Sequence, residues 1–449
     1  MEKKALFMRH ASPTGPVIAE AKQTSQFKAA CNALHTVLCA LFGERKPADR
    51  VLAAFFRSNP RFGSRDRRLI GEIVYAGLRN WGVLRLRLDS LEALESGKRG
   101  PTSAELAKIA AESVYLAGID FPAARIAHLS LPRDAATREK RAELLLGRPL
   151  PDAAELIPAW IAGHLEPDFP LSAYLDKLGE RPPMWLRGQT ADREALLKEL
   201  AGSGLAVRPH EHVPDALAVS GAQVNLYTLP AYREGKFEVQ DLASQCIGLA
   251  AAPSPGERWL DACAGAGGKS LQMAALMHSR GTVLATDIRE YKLEDLRKRA
   301  RRSGFSNIRT RAWDGKALRP QFRQSFDGVL VDAPCSCSGV WRRNPDGLWT
   351  AREEAVTETV LLQQRILEAV ASGVRPGGVL VYATCSIFRE ENRAQVEAFL
   401  AGHPEFVQER FPHQLTGKMT PDGMLQITPA DADCDAMFVA RMRKLKGIR

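Results

Sequence analysis

The sequence lacks the features that mark secreted, disulfide-stabilised and membrane-spanning proteins. Its 449 residues contain eight cysteines at irregular spacing, which does not make a disulfide framework. No segment approaches the ~20 consecutive apolar residues of a membrane span. Charges and a proline interrupt Met1–Gly15, where a secretory signal needs an unbroken apolar run. We therefore expect a cytoplasmic protein whose thiols are reduced.

Metal-ligand spacing is also lacking. Cys335 and Cys337 are separated by one residue, and no second pair of cysteines lies at the spacing of a zinc site. The sequence therefore predicts no bound metal. Because these thiols belong neither to disulfides nor to a metal site, catalysis is the role that we expect for any unusual cysteine.

The composition is that of a folded protein with a basic surplus. Hydrophobic residues make up 45% of the chain and charged residues 25%, so it can bury substantial cores, and its length suggests two or three domains. The 62 lysines and arginines outnumber the 52 aspartates and glutamates, which gives a formal charge of +10. Such a surplus favours polyanionic partners, nucleic acid among them.

Residues 25–150 are predicted to form an all-helical domain, because apolar residues recur there at three and four spacing. Prolines then cluster at Gly147–Pro151 and at Pro167–Pro170, which indicates a linker. The helical pattern occupies Ala29–Phe42, Leu69–Leu86 and Ala104–Leu116.

Residues 170–235 are predicted to form a small α/β subdomain, similar to an RRM, within the usual size range of a domain. Its strands and helix are short and separated by polar turns. The predicted elements are a strand at Met184–Arg187, a helix at Arg193–Ala201 and further strands within Ala206–Val219.

Residues 236–449 are predicted to form a Rossmann-like α/β domain. Apolar strands without alternation are separated by helices, which indicates a parallel sheet covered on both faces. Ligands of such sheets bind beyond the carboxyl ends of the strands, so we expect functional residues there. The predicted strands are Trp259–Ala262, Thr282–Ile288, Ile308–Ala312, Gly328–Asp332 and Val379–Thr384, with helices beginning at Lys269, Tyr291 and Glu353.

The first of these strands ends in a glycine-rich turn, Asp261–Ser270, whose glycines let the backbone approach a ligand. A phosphate-binding P-loop needs a glycine where Cys263 stands, and a dinucleotide loop needs one at Ser270. Because neither pattern is met, an S-adenosylmethionine loop is the interpretation that is left.

Acidic residues follow the next two strands. Asp287 lies 20 residues beyond Gly267, where a carboxylate can accept hydrogen bonds from two ribose hydroxyls. Asp314 is placed to accept one from an adenine amino group. A single aspartate would be interpreted as a loop cap, but acidic residues at successive strand ends favour a ribose-bearing ligand without phosphates.

Two cysteines, Cys335 and Cys385, follow the fourth and fifth strands and should reach the same edge of the sheet. A buried apolar role is the alternative for each thiol. Beside a methyl donor, a thiolate that adds to carbon 6 of cytosine makes carbon 5 reactive, and an acid must neutralise the ring. Asp332 would act as that acid if protonated, or as the hydrogen-bond partner of a protonated base.

Basic residues flank the second strand and its helix. We expect some of them to contact phosphates, and a solvated helix face is the alternative. They are Arg289, Lys292, Arg297, Lys298, Arg299, Arg301 and Arg302.

Several segments together resemble the bacterial ribosomal RNA 5-methylcytosine methyltransferases of the Sun (Fmu, RsmB) family, from about residue 175 to the end. Two places depart from the family pattern: Gly265 and Ala266 replace an alanine and a proline, and Cys337 stands where glycine or alanine is more common. The matching segments are Arg181–Arg187, Val239–Asp241, Cys263–Lys269, Asp332–Cys335, Arg342–Asp346, Tyr382–Ser386 and Glu390–Asn392.

The resemblance implies S-adenosylmethionine as methyl donor, RNA as partner, and a cytosine of small-subunit (16S) ribosomal RNA as target. It implies an N-terminal domain like that of the NusB antitermination factor. It also implies that Cys385 is the nucleophile and that Cys335 assists product release. The cofactor and base site would be lined by Cys263, Ala264, Gly265, Ala266, Gly267, Gly268, Lys269, Asp287, Asp314 and Asp332.

Alternatives stay open at this point. Cys335 would be the attacking thiol if the chain worked as DNA cytosine methyltransferases do, which are similar only in the Pro-Cys element. A ribosome-assembly protein that binds RNA with weak catalysis would not need two strand-end thiols. Transfer RNA and large-subunit RNA are alternative targets, while Thr384–Ser386 and the basic helices disfavour DNA or protein. We expect a monomer with no membrane partner.

Overall fold

The computed structural model describes residues 20–121, 129, 131–132, 135, 137–220 and 224–446. The chain divides into two units, Met1–Leu150 and Pro151–Arg449. The segment Met1–Gly15, on which the argument against a secretory signal rests, lies outside the described residues. No helix among the described residues has both the length and the apolar composition needed to cross a membrane.

The described part of the first unit is helical, as predicted. In its first helix, Leu34, Val37, Leu38 and Leu41 are buried on one face, which is the spacing of an amphipathic helix. The helices are α1 (Glu20–Glu44), α2 (Ala48–Ser58), α3 (Ser64–Arg79), α4 (Trp81–Arg87), α5 (Leu91–Glu95), α6 (Ser103–Ala117) and α7 (Arg138–Leu146).

Local signals explain where these helices begin and end. Thr102 and Glu105 form a capping box at the start of α6, and Gly118 ends that helix in the left-handed region at φ 62°. The apolar run predicted as one helix over Leu69–Leu86 is two helices, because the backbone at Asn80 leaves the helical region between α3 and α4.

The second unit contains a four-stranded antiparallel sheet in the order β2-β3-β1-β4. Its core is formed by Leu186, Leu217 and Phe237 of the sheet with Leu196 and Leu200 of the covering helix. The elements are β1 (Met184–Gly188), β2 (Ala206–Pro209), β3 (Ala216–Ser220) and β4 (Phe237–Val239), preceded by α8 (Ala159–Ala162) and α9 (Leu171–Leu178), with α10 (Arg193–Gly202) and α11 (Pro230–Arg233) between strands.

The structure bears on the linker and on the domain boundary predicted for this region. The stretch between the two proline clusters is not an open linker: Ile157 and Ile161 are buried in a cluster with Tyr174, and this cluster also contains Phe388 from beside the predicted nucleophile. The predicted boundary at residue 235 stays a prediction, and the fourth strand of the small sheet, β4, lies beyond it.

The larger sheet has eight strands in the order β10-β12-β9-β8-β5-β6-β7, with β11 paired to β12. The five strands predicted from the sequence are parallel. The parallel pairing predicted for them is confirmed, and three C-terminal strands that were not predicted extend the sheet through antiparallel pairs. The strands are β5 (Arg258–Asp261), β6 (Thr282–Asp287), β7 (Ile308–Ala312), β8 (Phe326–Asp332), β9 (Val374–Thr384), β10 (Phe406–Gln408), β11 (Met424–Ile427) and β12 (Met437–Lys444).

Helices cover both faces of this sheet. Along β9, Val379 and Val381 belong to one buried cluster, while Leu380 and Tyr382 belong to the cluster on the opposite face. The helices are α12 (Leu242–Ala251), α13 (Gly268–Leu276), α14 (Glu290–Arg302), α15 (Asp346–Thr350), α16 (Glu353–Ala371), α17 (Arg393–Gly402) and α18 (Pro429–Ala432); 3-10 turns lie at Ala153–Leu156, Leu226–Thr228, Pro320–Phe322, Ser338–Val340 and Arg389–Glu391.

The strand order reverses beside β5. The chain runs from β5 outward through β6 to β7, and then returns to place β8 and β9 on the other side of β5. At such a switch point the loops after the two central strands diverge and leave a crevice for a ligand. The glycine-rich turn follows β5, and the segment that carries Asp332 and Cys335 ends β8 and follows it.

Candidate active site

The glycine-rich turn joins β5 to α13. Gly265 and Gly267 have φ of 52° and 87°, in the left-handed region. A Cβ on Gly267 would lie 2.4 Å from Cγ of Leu296, so packing against α14 requires glycine there. A Cβ on Gly265 or Gly268 would meet nothing within 4 Å. The turn therefore has open space beside its backbone that a ligand can enter.

Asp287, at the end of β6, braces this turn. Its Oδ2 accepts a hydrogen bond from the Gly265 amide at 2.9 Å, and its Oδ1 accepts from the amide and Nε of Arg289 at 2.8 and 3.0 Å. Burial raises the pKa of Asp287, but the hydrogen bonds from Arg289 and Gly265 outweigh burial and hold it below the ordinary value. A ribose would compete with Arg289, whose side chain is about half exposed.

A cavity of about 480 Å³ is lined by residues of β5, β6 and β7 and by the segment that follows β7. Asp314 borders it, with an exposed carboxylate that accepts a hydrogen bond from the Lys316 amide. The residues fit an adenine-bearing ligand, because apolar walls suit a flat base and a carboxylate at the edge can accept from its amino group. The apolar walls include Leu260, Leu284, Ile288, Leu318 and Phe322.

An ion pair spans the crevice between the two central loops. Lys269 Nζ, at the start of α13, donates to Asp332 Oδ2 at the end of β8 over 2.6 Å. The Lys269 side chain is almost completely buried, whereas that of Asp332 is partly exposed. The structure therefore brings together a residue of the predicted cofactor turn and the carboxylate predicted to face the base.

Asp261 lies behind the turn and was not singled out from the sequence. Its Oδ2 accepts from Ser270 Oγ at 2.6 Å, while its buried Oδ1 has no hydrogen-bond partner among the described residues. Burial raises the pKa of Asp261 to about 7. Its position at the last residue of β5 was the available signal, because polar residues at strand ends are functional candidates in such sheets.

The two predicted catalytic thiols meet. Cys335 Sγ and Cys385 Sγ are 3.5 Å apart, although 50 residues separate them in the chain. A third thiol, that of Cys337, donates to the Cys335 carbonyl oxygen at 3.5 Å and is exposed. All three sulfur atoms lie within 4.8 Å of one another.

Because the three thiols lie so close together, the ionisation of each one depends on the other two. Hydrogen bonds with Cys337 and Cys385, and then burial, raise the pKa of Cys335 well above its ordinary value. A hydrogen bond with Cys335 lowers the pKa of Cys385, but the hydrogen bond with Cys337 and burial raise it by more. Cys337 is the exception, because its hydrogen bonds with the other two thiols lower its pKa.

Cys263 is the thiol of the glycine-rich turn. Burial, followed by the negative charges of Asp261 and Asp332, raises the pKa of Cys263 far above its ordinary value. Thiol chemistry requires the thiolate. Cys263 lies outside the group formed by Cys335, Cys337 and Cys385, and its place among the lining residues stays a prediction.

A buried carboxylate fixes the loop that carries Cys335. Glu391, with no exposed surface, accepts hydrogen bonds from the Ser336 amide at 2.8 Å and the Ser336 hydroxyl at 2.5 Å. Thr359 and Gln363 of α16 donate to the same carboxylate. Glu391 was not singled out from the sequence, although it lies in a segment, Glu390–Asn392, that resembles the family.

Hydroxyl groups join the loops of Cys335 and Cys385. The side chains of Ser336, Ser338 and Ser386 lie 3.1 to 3.2 Å from one another. Tyr174 of α9 donates to the Ser338 carbonyl oxygen at 2.7 Å. The segment just after the predicted linker therefore supports the loop that carries Cys335 directly.

The C-terminal segment closes the back of the site. The Gly339 amide donates to the Cys385 carbonyl oxygen at 2.8 Å, and the Ala436 amide donates to that of Gly339 at 2.9 Å. Arg343 binds both oxygens of Asp435 and one oxygen of Asp241. The arginine motif after Cys335 thus anchors the chain immediately before β12.

Several basic residues of α14 are occupied within the chain. Arg299 and Arg302 both bind the buried Glu238 of β4, and Arg302 lies 3.8 Å over the ring of Tyr232. Arg297 pairs with Glu290. For Arg299 and Arg302 the expectation of phosphate contact gives way to a structural role, in which they join the small sheet to α14. The pair of Arg297 and Glu290 lies within α14 itself.

Comparison with protein families identifies two regions. Residues 248–443 match the family described as 16S rRNA methyltransferase RsmB/F. Residues 157–225 match the ferredoxin-like domain of RsmF/B-like methyltransferases. The ribosomal RNA small subunit methyltransferase B of Salmonella paratyphi C is 36% identical over 299 residues, which cover 65% of this chain and 67% of that protein.

Solved structures with a similar fold include PH0851 and two proteins from Pyrococcus horikoshii. The crystal structure of PH0851 superposes with a TM-score of 0.70 at 25% identity, over 92% of this chain and 99% of that one. NSun6 from Pyrococcus horikoshii, solved with SFG, has a TM-score of 0.53 at 19% identity, over 62% of this chain and 94% of that one. A methyltransferase homolog from the same organism has a TM-score of 0.55 at 22% identity, over 64% of this chain and 95% of that one.

If Asp287 holds the ribose, Asp287→Ala should weaken S-adenosylmethionine binding by ~1.5 to 3 kcal/mol, the scale for hydrogen bonds to a charged group. Arg289→Ala is the matched control, because it removes the competing guanidinium and should leave affinity unchanged or higher. Isothermal titration calorimetry measures both. An unchanged affinity in Asp287→Ala, or an equal loss in Arg289→Ala, would contradict the assignment.

Cys337 should hold Cys385 in its less reactive thiol form. Cys337→Gly removes the hydrogen bond that raises the pKa of Cys385, so iodoacetamide should alkylate Cys385 about tenfold faster near pH 8. Because a raised pKa delays ionisation, the rate in the unsubstituted protein should keep rising above the pH at which the variant levels off. Peptide mass spectrometry across pH measures this. Coincident profiles would contradict the coupling.

Proposed function

Given that the chain belongs to the 16S rRNA methyltransferase RsmB/F family, we propose that it methylates carbon 5 of a cytosine in small-subunit ribosomal RNA through a covalent adduct with Cys385. S-adenosylmethionine supplies the methyl group. The observation that carries this proposal is the 3.5 Å separation of Cys335 and Cys385 at the edge of the sheet that also holds the cofactor turn. Two thiols in contact suit a reaction that must both form and break a carbon–sulfur bond.

The first step assigned to this chain is attack by the Cys385 thiolate on carbon 6 of a cytosine that has left its stack. The new carbon–sulfur bond shifts an electron pair through the ring, which makes carbon 5 nucleophilic toward the methyl group. Asp332 accepts from Lys269 through Oδ2. Its other oxygen is left to accept from the exocyclic amine or a protonated ring nitrogen, the second of the two roles considered for it.

The second step releases the product. After methylation, carbon 5 carries both the methyl group and a proton. Loss of that proton expels the Cys385 sulfur and restores the ring, and Cys335 is the group placed to accept it. Cys385 is then an uncharged thioether, so its own contribution to the charge repulsion that opposes ionisation of Cys335 is absent at this stage, while the effects of Cys337 and of burial persist.

The remaining assignments rest on the sequence and the family. We propose residues 25–150 as an RNA-capturing helical domain, residues 170–235 as a small RRM-like subdomain, and residues 236–449 as the catalytic domain. A cytoplasmic monomer stays a prediction. The exposed basic side chains of α14, such as Lys298, are candidates for phosphate contact beside the site.

The order of the two thiols can be tested by trapping. Cys335→Ala should attack and transfer the methyl group, and then stall with RNA attached, which gives a slow, nuclease-sensitive band on a denaturing gel. Cys385→Ala should give no band and no methylated RNA. The double variant is the control. A band in Cys385→Ala would make Cys335 the nucleophile, as in DNA cytosine methyltransferases; no band in any variant would contradict the covalent mechanism.

The target can be tested in cells. RNA from a strain that lacks this gene should lose 5-methylcytosine at one or a few positions of small-subunit ribosomal RNA, detected by bisulfite sequencing, and the unsubstituted gene should restore it. Cys385→Ala should not restore it, although the protein is present. Loss confined to transfer RNA or large-subunit RNA would overturn the small-subunit assignment.

A further inference from the structure

The proposed reaction uses two of the three clustered thiols and leaves Cys337 without a role. Within the described part of the chain, Cys335, Cys337 and Cys385 are the one group of histidine, cysteine and acidic residues whose ligand atoms converge as a metal site requires. The sequence alone did not indicate that these three cysteines come together. Spacing along the chain pairs Cys335 with Cys337, but the third thiol comes from the loop after β9.

The backbone at Cys337 gives no reason for a cysteine there. Its φ of 58° lies in the left-handed region, where glycine is favoured because it has no Cβ. The side chain is exposed, so packing does not select it either. Yet this residue places its sulfur within 4.8 Å of both catalytic sulfurs.

The spacing suits coordination of a soft cation. A metal–sulfur bond of about 2.3 Å in tetrahedral geometry separates two thiolate sulfurs by about 3.8 Å. The sulfur atoms of Cys335 and Cys385 are 3.5 Å apart, which is slightly less than this distance. All sulfur–sulfur distances in the group are 4.8 Å or less, and this limit is greater than that distance. Three protein thiolates would leave a fourth position for water, and thiolates select soft or borderline cations over Mg²⁺ or Ca²⁺.

We propose that Cys335, Cys337 and Cys385 bind one thiophilic divalent cation, Zn²⁺ or its analogue Cd²⁺, and that this binding blocks the catalytic thiols. Each thiol gives up its proton as its bond to the metal forms, with no change in oxidation state. The bound form cannot add to a cytosine, because the lone pair of Cys385 is committed to the metal. The inhibitory consequence rests on the proposed function, whereas the binding itself does not.

The binding test uses Cd²⁺, whose bonds to sulfur absorb in the ultraviolet in proportion to their number. The full-length protein should bind one Cd²⁺ with the absorbance of three such bonds. Cys337→Gly, which suits the backbone, should show two, and its affinity should fall by at least about tenfold. Cys39→Ser, at a partly exposed thiol outside the cluster, should match the unsubstituted protein. Zn²⁺ should displace Cd²⁺.

Equal absorbance in Cys337→Gly and the unsubstituted protein would overturn the proposal, as would loss of the signal in Cys39→Ser. Circular dichroism of each variant shows whether it has folded. If Cys337→Gly fails to fold, Cys337→Ser replaces it, because a hydroxyl is a poor ligand for these cations.

The inhibition test compares each protein with its own metal-free rate of methyl transfer. Zn²⁺ should slow the unsubstituted protein reversibly, with activity regained on addition of a chelator, and Cys337→Gly should need at least about tenfold more Zn²⁺. Equal inhibition of both proteins would overturn the regulatory part. If no RNA is methylated at all, the proposed function fails, while the Cd²⁺ measurement still decides the binding site.

Discussion

The Glu391 carboxylate holds the loop that carries Cys335 in place, and the rest of the site depends on this interaction. It has no exposed surface, and both of its oxygens accept hydrogen bonds from Ser336, the residue after Cys335. A buried carboxylate that loses its donors carries a large desolvation cost, so the loop is held where it satisfies Glu391. The contact between Cys335 and Cys385 follows, because the neighbouring serine hydroxyls tie the second loop to the first.

The parts of the fold that could be predicted are those whose signal is local. The strand Ile308–Ala312 has the predicted bounds, and the helix predicted from Glu353 begins there. The alternation of side chains along a strand and the 3.6-residue period of a helix can both be recognised within a short window. The antiparallel strands β10 to β12 could not be placed in this way. β12 pairs with β9, and β10 and β11 pair with β12 in turn, so the placement of these strands depends on contacts that lie outside any short window.

The strand-end positions of the candidate site residues could be predicted from the sequence, but the side chains that they contact could not. Strand ends indicated Asp287, Asp332 and both catalytic thiols as candidates, because parallel strands share one functional edge. The pairing of Asp287 with Arg289 and the convergence of Cys337 on the thiol pair depend on side-chain directions that spacing does not encode. Similarly, a charge count cannot separate an arginine that binds Glu238 from one that is available to RNA.

The antiparallel closure of the sheet sets an order of events during synthesis. Ala436 and Asp435, which hold Gly339 and Arg343 from behind, directly precede β12, the last strand of the chain. A chain leaves the ribosome from its amino end, so the cofactor turn and both thiol loops emerge before the segment that braces them. The reactive centre is therefore braced only after the residues that precede β12 have emerged, later than both thiol loops.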